Sequence, residues 1–453
     1  MSSLIAPNLH DKRLSRRAFL RMAGTAAAGA ALQACTALGA GTTPTAQQPV
    51  QLVYQDWSTE WFPSMAQEML GRFHQETPGT RVFYVPDPAD VEESLIADMK
   101  AGTAPDVFAA CCSFYPIIAQ ENLTLDLRPY VAKDLDEATI QDWDPAQYQS
   151  FFTRDGRQYG LPKYHGALAL YYNKDLFDRY AVEYPDGSWT YDDYLQAMRS
   201  LTHDQDGDGN TDLWGSMLDI SWERIQVHVN GWGGHFIDPE DPTISQMSEP
   251  EALAALEWLR ERMWVDRVMA SFLDVNNMNT RQAFVAERVA MVEDGSWSLK
   301  DILSEAKFKV GVAPFPTGPV KKVTLATTDG YGIYIGTRYP DAAWDLLKYL
   351  ISKEYGLAMA RANFLQPARA SLLVDWENFI RAQFPQQTEE LDIAAFADGH
   401  LKGYSVTAEI FPNMDDAKRL AYDAWDQILT LGQAPVDIMK DVSEQIQNAQ
   451  QKG

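Results

Sequence analysis

The chain has 453 residues, 46% hydrophobic, 11% aromatic and 22% charged, a globular composition that excludes collagen, wholesale disorder and a small disulfide-stapled scaffold. At roughly 150 residues per domain, this length predicts two or three folding units. The formal net charge of −25 repels phosphate backbones, so no nucleic-acid partner is expected.

The first 35 residues read as an export signal. Asp11 to Arg21 is basic and carries Ser15-Arg16-Arg17-Ala18-Phe19-Leu20; a weakly apolar run follows from Met22 to Leu32, then Gln33-Ala34-Cys35. Such a segment fits a secretory signal and is too short to anchor stably across a bilayer. Its arginine pair resembles the twin-arginine export signal, and Leu32-Gln33-Ala34-Cys35 resembles a lipobox whose cysteine takes the lipid. Residues 1–34 are therefore expected to be removed and Cys35 to anchor the protein to the cell membrane. Residues 35–49, small and polar, are expected to form a flexible tether. The alternative is an ordinary cleaved signal with a coincidental cysteine. Removal of 1–34 deletes five basic side chains and one acidic one, taking the charge from −25 to −29. No run of about 18 apolar residues occurs, so no transmembrane helix is predicted.

Val50 to Tyr54 reads as a strand, and Met65, Met69, Leu70 and Phe73 mark one face of a helix stopped by Thr77-Pro78-Gly79. Arg81 to Val85 is a second strand, and Asp87-Pro88 opens a helix with Val91, Leu95 and Met99 inward. Asp106 to Ala109, Leu168 to Tyr172 and Val289 to Val292 are strand-like. Thr190 with Asp193, and Ser248 with Glu251, form capping-box patterns. Val310 to Ala313 and Tyr331 to Ile335 are further strands. Pro340 to Ser352, Met414 to Leu431 and Pro435 to Gln450 are helical. Strands alternating with helices predict an α/β fold with mainly parallel sheets.

Ligands in open α/β sheets bind beyond the carboxyl ends of strands. There the sequence offers Gln55-Asp56-Trp57, Cys111 to Tyr115, Glu293-Asp294-Gly295-Ser296-Trp297 and Thr327 to Tyr331, rich in aromatic and polar groups. Cys111 and Cys112 could close only a vicinal ring that staples no loop. They are expected to be reduced, small and buried.

No G-x-S-x-G, H-E-x-x-H, G-x-x-x-x-G-K-[ST] or strand-following G-x-G-x-x-G motif occurs. The seven histidines show no metal-ligand spacing. Carboxylates are too numerous for a glycosidase pair to be singled out. These absences favour a binder over an enzyme. The strongest local pattern is Asp204-Gln205-Asp206-Gly207-Asp208-Gly209-Asn210-Thr211-Asp212. It places oxygens at positions 1, 3, 5 and 9 and glycine at 6, as an EF-hand calcium loop does, with the carbonyl of Asn210 at position 7. Gly215 stands at position 12, where such a loop has a bidentate glutamate. A structural calcium ion is expected and no other cofactor is required; a solvated Asp/Gly turn is the alternative.

Of 13 tryptophans, Trp57, Trp61, Trp189, Trp222, Trp232 and Trp297 fall in predicted loops. Flat rings there suit the C–H faces of pyranoses, although packing in the core is open to each of them. Trp258 and Trp344 lie on helical apolar stripes and are assigned to core.

Six segments in order resemble carbohydrate-type extracellular solute-binding proteins of ABC importers. They are Gly160-Leu161-Pro162, Leu168 to Phe177, Trp189 to Tyr194, Ala283-Phe284 through Ala290-Met291 to Gly295-Ser296-Trp297, Val312 to Pro316, and Ala342-Ala343-Trp344 to Leu350, behind the lipoprotein-like signal. The likeness covers about residues 50 to 450 and is similar to the maltose-binding type. It implies a periplasmic-binding-protein-like α/β fold of two lobes, a hinge and an interlobe ligand cleft. The N-lobe would be 50–165 plus 313–365 and the C-lobe 166–312 plus 366–453. Crossings would lie near His165–Ala167, Val312–Pro314 and Phe364–Pro367. Closure around ligand then shifts the population toward the shape a permease recognises.

The resemblance places Trp297 as a sugar-stacking ring and Tyr164 and His165 at a ligand-touching crossover. Asp56 and Trp57 follow the first strand, and Trp222 with Glu223 matches a turn supplying an aromatic and an acid, with Trp232 beyond. Asp294 and Tyr331 complete the expected ligand set from their strand-end positions. The pattern departs at Ala110, Ser113, Phe114 and Gly166, where maltose-type relatives carry other residues, so a different sugar or a glycerophosphodiester enters the range of ligands. The expected function is that of a non-enzymatic, lipid-anchored, extracytoplasmic monomer delivering a carbohydrate to an ABC permease. The alternatives are a secreted carbohydrate-acting hydrolase and a binder of glycerophosphodiesters or polyamines.

Overall fold

The computed structural model describes residues 48–451. The signal segment 1–34, Cys35 and most of the tether lie outside them. Among the described residues no helix is long and apolar enough to cross a membrane.

The strands, in chain order, are β1 (Val50–Asp56), β2 (Thr80–Pro86), β3 (Val107–Ala110), β4 (Leu161–Pro162), β5 (Leu168–Asn173) and β6 (Trp214–Met217). They continue with β7 (Met269–Ala270), β8 (Val289–Gly295), β9 (Val310–Ala313), β10 (Thr324–Leu325), β11 (Gly330–Ile333) and β12 (Ser405–Val406). Two five-stranded sheets result, in the orders β2-β1-β3-β11-β4 and β7-β6-β8-β5-β9, while β10 pairs β12 apart from them. Each sheet is covered by helices, giving two α/β lobes.

The sheets are mixed, where mainly parallel ones were expected. β1 runs parallel to β2 and β3, and β6 parallel to β7 and β8. β11 opposes β3 and β4, and β5 opposes β8 and β9. The reason is topological: β5 and β11 each enter their sheet directly from a crossing between lobes, and so arrive from the opposite end.

Local sequence explains most helix boundaries. The helix Phe62–Glu76 has proline in its first turn and buries Phe62, Met65, Ala66, Met69, Leu70 and Phe73, one face at helical spacing. The helix Val91–Ala101 starts after Asp90 and ends at Gly102, whose φ of 73° closes it in the left-handed region. Thr190 forms its capping box with Asp193. Ser248 does not: Glu249 is the cap and Pro250 the first helical residue, because proline at that position needs no amide partner.

Three chain segments cross side by side between the lobes. Tyr164 bridges Pro367 and Ala167 bridges Ala326. The His165 amide donates to the Gln366 carbonyl at 3.0 Å, and the Thr327 amide to the Gly166 carbonyl at 2.9 Å. The expected crossing at Val312–Pro314 is corrected. Ala313 pairs Leu170 within the second sheet, Thr317 bridges Thr190, and the Thr324 hydroxyl donates to the Leu168 carbonyl at 2.7 Å. The chain thus stays with the second lobe through Leu325 and crosses at Ala326–Thr327, so 313–325 leaves the first lobe.

Candidate ligand-binding site

On the first lobe, the strand order brings the end of β1, the residue after β4 and the residue before β11 to one place. Lys163 forms an ion pair with the carboxylate of Asp56, and both side chains are buried. Asp56 also accepts from the Trp57 amide at 2.7 Å and from the Tyr54 hydroxyl. The Lys163 ammonium lies 3.1 Å from the centroid of the Trp57 ring and 5.6 Å from that of Tyr331. Tyr164 meets Trp57 edge-on, with centroids 5.5 Å apart. Asp329 completes the group. Burial pushes its carboxyl up to about 6 against the opposing charge of Lys163, while burial lowers the Lys163 ammonium. Two acids and one cation therefore sit beneath a layer of aromatic rings, an arrangement that persists only because the charges are paired.

The strand β3 ends at a turn in which Cys111 and Cys112 are joined as a disulfide. This corrects the expectation of reduced, buried thiols. Cys112 takes a φ of 57° and both residues are only half-buried. The next residue, Ser113, accepts from the Lys418 ammonium at 2.7 Å. Lys418 belongs to the helix Met414–Trp425 in the second lobe, so this turn touches both halves of the protein.

On the second lobe, Arg224 reaches Asp219 at 2.5 Å and Asp294 at 2.9 Å. Trp297 follows β8 and packs against the apolar residues of the first lobe. A Cβ at Gly166 would meet Thr327 at 2.6 Å and the Trp297 ring at 2.9 Å, so the crossing needs glycine there for the indole to approach. Beneath, His228 joins the Tyr191 hydroxyl at 2.8 Å and the Glu293 carboxylate at 3.0 Å. A cavity of about 500 Å³ opens at the carboxyl ends of β6 and β7, with Asp219, Ile220, Asn277, Asn279, Tyr422 and Asp426 in its wall. Tyr422 stands one helical turn from Lys418, so one helix face runs from the contact with Ser113 into this cavity.

The profile of bacterial extracellular solute-binding proteins matches residues 55–357, well over half the chain. The chain belongs to this family. A binding protein of Brucella abortus is 25% identical over 402 residues, 87% of this chain and 91% of its own. The maltotriose-binding protein of Pyrococcus abyssi is 24% identical over 303 residues, 64% of this chain and 58% of its own. An ABC substrate-binding protein from Listeria monocytogenes, solved in complex with cycloalternan, shares the fold with a TM-score of 0.74 at 22% identity, over 89% of this chain and 99% of that one. The family consists of extracytoplasmic binding proteins rather than enzymes.

Within this solute-binding fold the expected ligand residues divide. Asp56, Trp57, Tyr164 and Tyr331 come together around Lys163, although Asp56 and Tyr331 are wholly buried and support the layer above them. Asp294 ends β8 in an ion pair with Arg224, and Trp297 follows it at the crossing beside Gly166. His165, 0% exposed, faces Asp144 inside the hinge at 3.2 Å. Trp222, also 0% exposed, is corrected from ligand contact to core: it lies on the inward face of its helix with Ile225 and Val229, and its indole N–H donates to the Glu409 carbonyl at 2.9 Å. Glu223 is half-buried on that first turn. Trp232 packs on Tyr191 and Trp258, at 4.8 and 5.6 Å. Sequence reasoning missed Lys163, Asp329, Arg224 and Lys418. Lys163 had a signal, a lone cation between the apolar Gly160-Leu161-Pro162 and the crossover.

In the acidic loop, Asp204, Asp206 and Asp208 bring carboxylate oxygens within 4.8 Å of one another. Gly207 and Gly209 take φ values of 80° and 91°, and their amides donate to Asp204 at 2.7 and 2.8 Å, holding its carboxyl below the usual range. Asp212 turns back onto the amides of Gln205 and Asp206, and the Asn210 amide donates to Asp208 at 2.8 Å. Such hard oxygens fit calcium.

Proposed function

We propose that this chain is the substrate-binding lipoprotein of an ABC importer, taking a sugar or oligosaccharide between its lobes and delivering it unchanged to the permease. The observation that carries this reading is the placement of Trp297 beside Gly166 and Thr327 at the crossing, on the lobe whose paired charges Asp294–Arg224–Asp219 reach the cavity wall at Asp219. A flat ring for a pyranose face, with charged hydrogen-bonding partners beside it, matches the chemistry of a carbohydrate. The maltotriose-binding relative and the cycloalternan-bound structural neighbour support the same ligand class.

The proposal includes a twin-arginine signal over 1–34, a lipid on Cys35, a monomeric state, and a structural calcium ion on the loop Asp204–Asp212. Its lobes meet at 165/166 and 325/326, and the chain leaves the first lobe after Ser371, which still bonds Asp142.

A thermal-shift screen tests it, with mono-, di- and oligosaccharides, glycerophosphodiesters and polyamines as separate arms. A ligand at a hundredfold excess over its dissociation constant adds about 2.7 kcal/mol of stability. A sugar giving that shift and recovered intact supports the proposal. A shift with polyamines or glycerophosphodiesters alone overturns the carbohydrate class, and release of shorter sugars makes the protein a hydrolase.

A further inference from the structure

The hinge holds a cluster that ligand binding does not use. Asp144 caps the helix Pro145–Ser150 of the first lobe, His165 lies on the first crossing, and His400 belongs to the helix Asp398–Lys402 packed with the second lobe. Each presents one ligand-type atom within 4.8 Å of the others. Their exposures are 1%, 0% and 8%. The three are far apart in sequence, which is why histidine spacing does not announce them.

The polar atoms of the cluster are only partly bonded. Asp144 Oδ1 accepts from the Ala146 and Gln147 amides at 2.8 and 3.1 Å, Oδ2 meets His165 Nε2 at 3.2 Å, and the Ser405 hydroxyl also faces this carboxylate. The His165 and His400 rings stack with centroids 5.1 Å apart. His400 engages the Trp143 backbone, yet its Nδ1 is buried with no partner. Buried imidazole nitrogens are normally bonded, so an orphan on a member of a His/Asp cluster asks for an occupant.

We propose that Asp144, His165 and His400 bind one divalent transition-metal ion of the zinc class at the pivot between the lobes. Two imidazoles and a carboxylate are a borderline donor set that suits zinc, cobalt or iron and not calcium. Metal bonds of about 2.0–2.2 Å put tetrahedral ligand atoms roughly 3.3–3.6 Å apart. The Asp144–His165 separation is already near that, and the cluster as a whole needs a contraction of about an ångström. Holding one ring nitrogen on a backbone group while the other faces the ion is how metal-binding histidines are oriented. His165 Nδ1 lies 3.2 Å from the Gln366 amide nitrogen, and turning that amide end for end lets its oxygen, now buried without a partner, accept the Nδ1–H of a metal-bound ring. Asp142 adds a second carboxylate charge near His400. Water fills the fourth position.

The site is independent of which solute the cleft takes, and its test uses metal alone. Chelator-treated full-length protein, kept in millimolar calcium to fill the acidic loop, is titrated with Zn²⁺ by calorimetry and with Co²⁺ by visible absorption. The expected result is one equivalent of Zn²⁺ per chain and a cobalt d–d band of a nitrogen/oxygen site. His400→Ala removes the orphan nitrogen along with the ring's stacking on His165, so its midpoint without metal is lowered, and the folded variant should bind Zn²⁺ at least about tenfold more weakly. Asp144→Asn, which keeps an acceptor for the helix cap, should weaken binding likewise and gives a second variant. Asp208→Ala should leave the zinc titration unchanged. Absence of stoichiometric binding tighter than roughly 100 μM, or equal binding by His400→Ala and Asp144→Asn, overturns the proposal.

Discussion

The ammonium of Lys163 is held between the carboxylate of Asp56 and the face of Trp57, 3.1 Å from the ring centroid. One face of Trp57 is therefore taken by a cation, and only its other side and edge are left for a ligand. With both charges buried, removal of one partner leaves the other unpaired in a low dielectric. Lys163→Met is expected to lose about 3–5 kcal/mol of stability in denaturant unfolding, and Lys163→Met combined with Asp56→Asn to lose less than either charge deletion alone. Additive losses would show that the two groups do not act as a pair.

Asp329 gives the same region a pH signature. Its folded carboxyl titrates at about 6, above the unfolded value of about 4. Between those limits the folded state holds the extra proton, so its contribution is fully present below pH 4 and is lost as pH rises through 6. Asp329→Asn should be more stable than the parent by up to about 3 kcal/mol at pH 7, with the gain vanishing near pH 4. Unfolding curves at pH 4, 5, 6 and 7 measure it. A gain that does not vary with pH would assign the effect to something other than this carboxyl.

Two tryptophans separate stacking from packing. Trp297→Ala should weaken ligand binding by tenfold or more, about 1.4 kcal/mol, because its ring stands at the crossing beside Gly166. Trp222→Ala should cost about 3–5 kcal/mol of stability, since its indole is wholly buried and bonded to the Glu409 carbonyl. Calorimetric titration of both variants, beside their unfolding curves, should give opposite patterns. A Trp222 variant that folds normally and loses only binding would reverse the assignment.

These contrasts mark what the sequence could and could not reveal. Met65, Met69 and Phe73, or Thr190 with Asp193, declare their helices because periodicity and caps act within a few residues. Val312 to Pro314 misleads as a crossing, because the family pattern sets a hinge there while this chain stays in the second sheet as β9. Lys163 and Asp56 are 107 positions apart, and only the order of strands in the first sheet joins them. Trp222 shows the converse: an aromatic beside an acid has the composition of a site, while the face of the helix that bears it decides that it packs. The cysteine pair is legible as adjacent, but the disulfide that joins it is not.

The acidic loop predicts a calcium-dependent midpoint. Asp204, Asp206 and Asp208 converge on one point, and a cation bound only by the folded loop raises stability by mass action. Calcium should raise the thermal midpoint by several degrees over the chelated protein, and Asp208→Ala should abolish the difference while leaving the chelated midpoint in place. Equal midpoints in calcium and chelator would identify the segment as a solvated turn held by its own amides.

The contact between Lys418 and Ser113, at 2.7 Å, joins a second-lobe helix to the turn after β3. A bond made only while the lobes are together adds its free energy to ligand binding and not to the folding of either lobe. Lys418→Met should therefore weaken ligand affinity about fivefold, the equivalent of one hydrogen bond near 1 kcal/mol, with the unfolding midpoint of the ligand-free protein unchanged. Small-angle scattering should report a larger radius of gyration for this variant at subsaturating ligand. Unaltered affinity would mean that the contact follows closure without contributing to it.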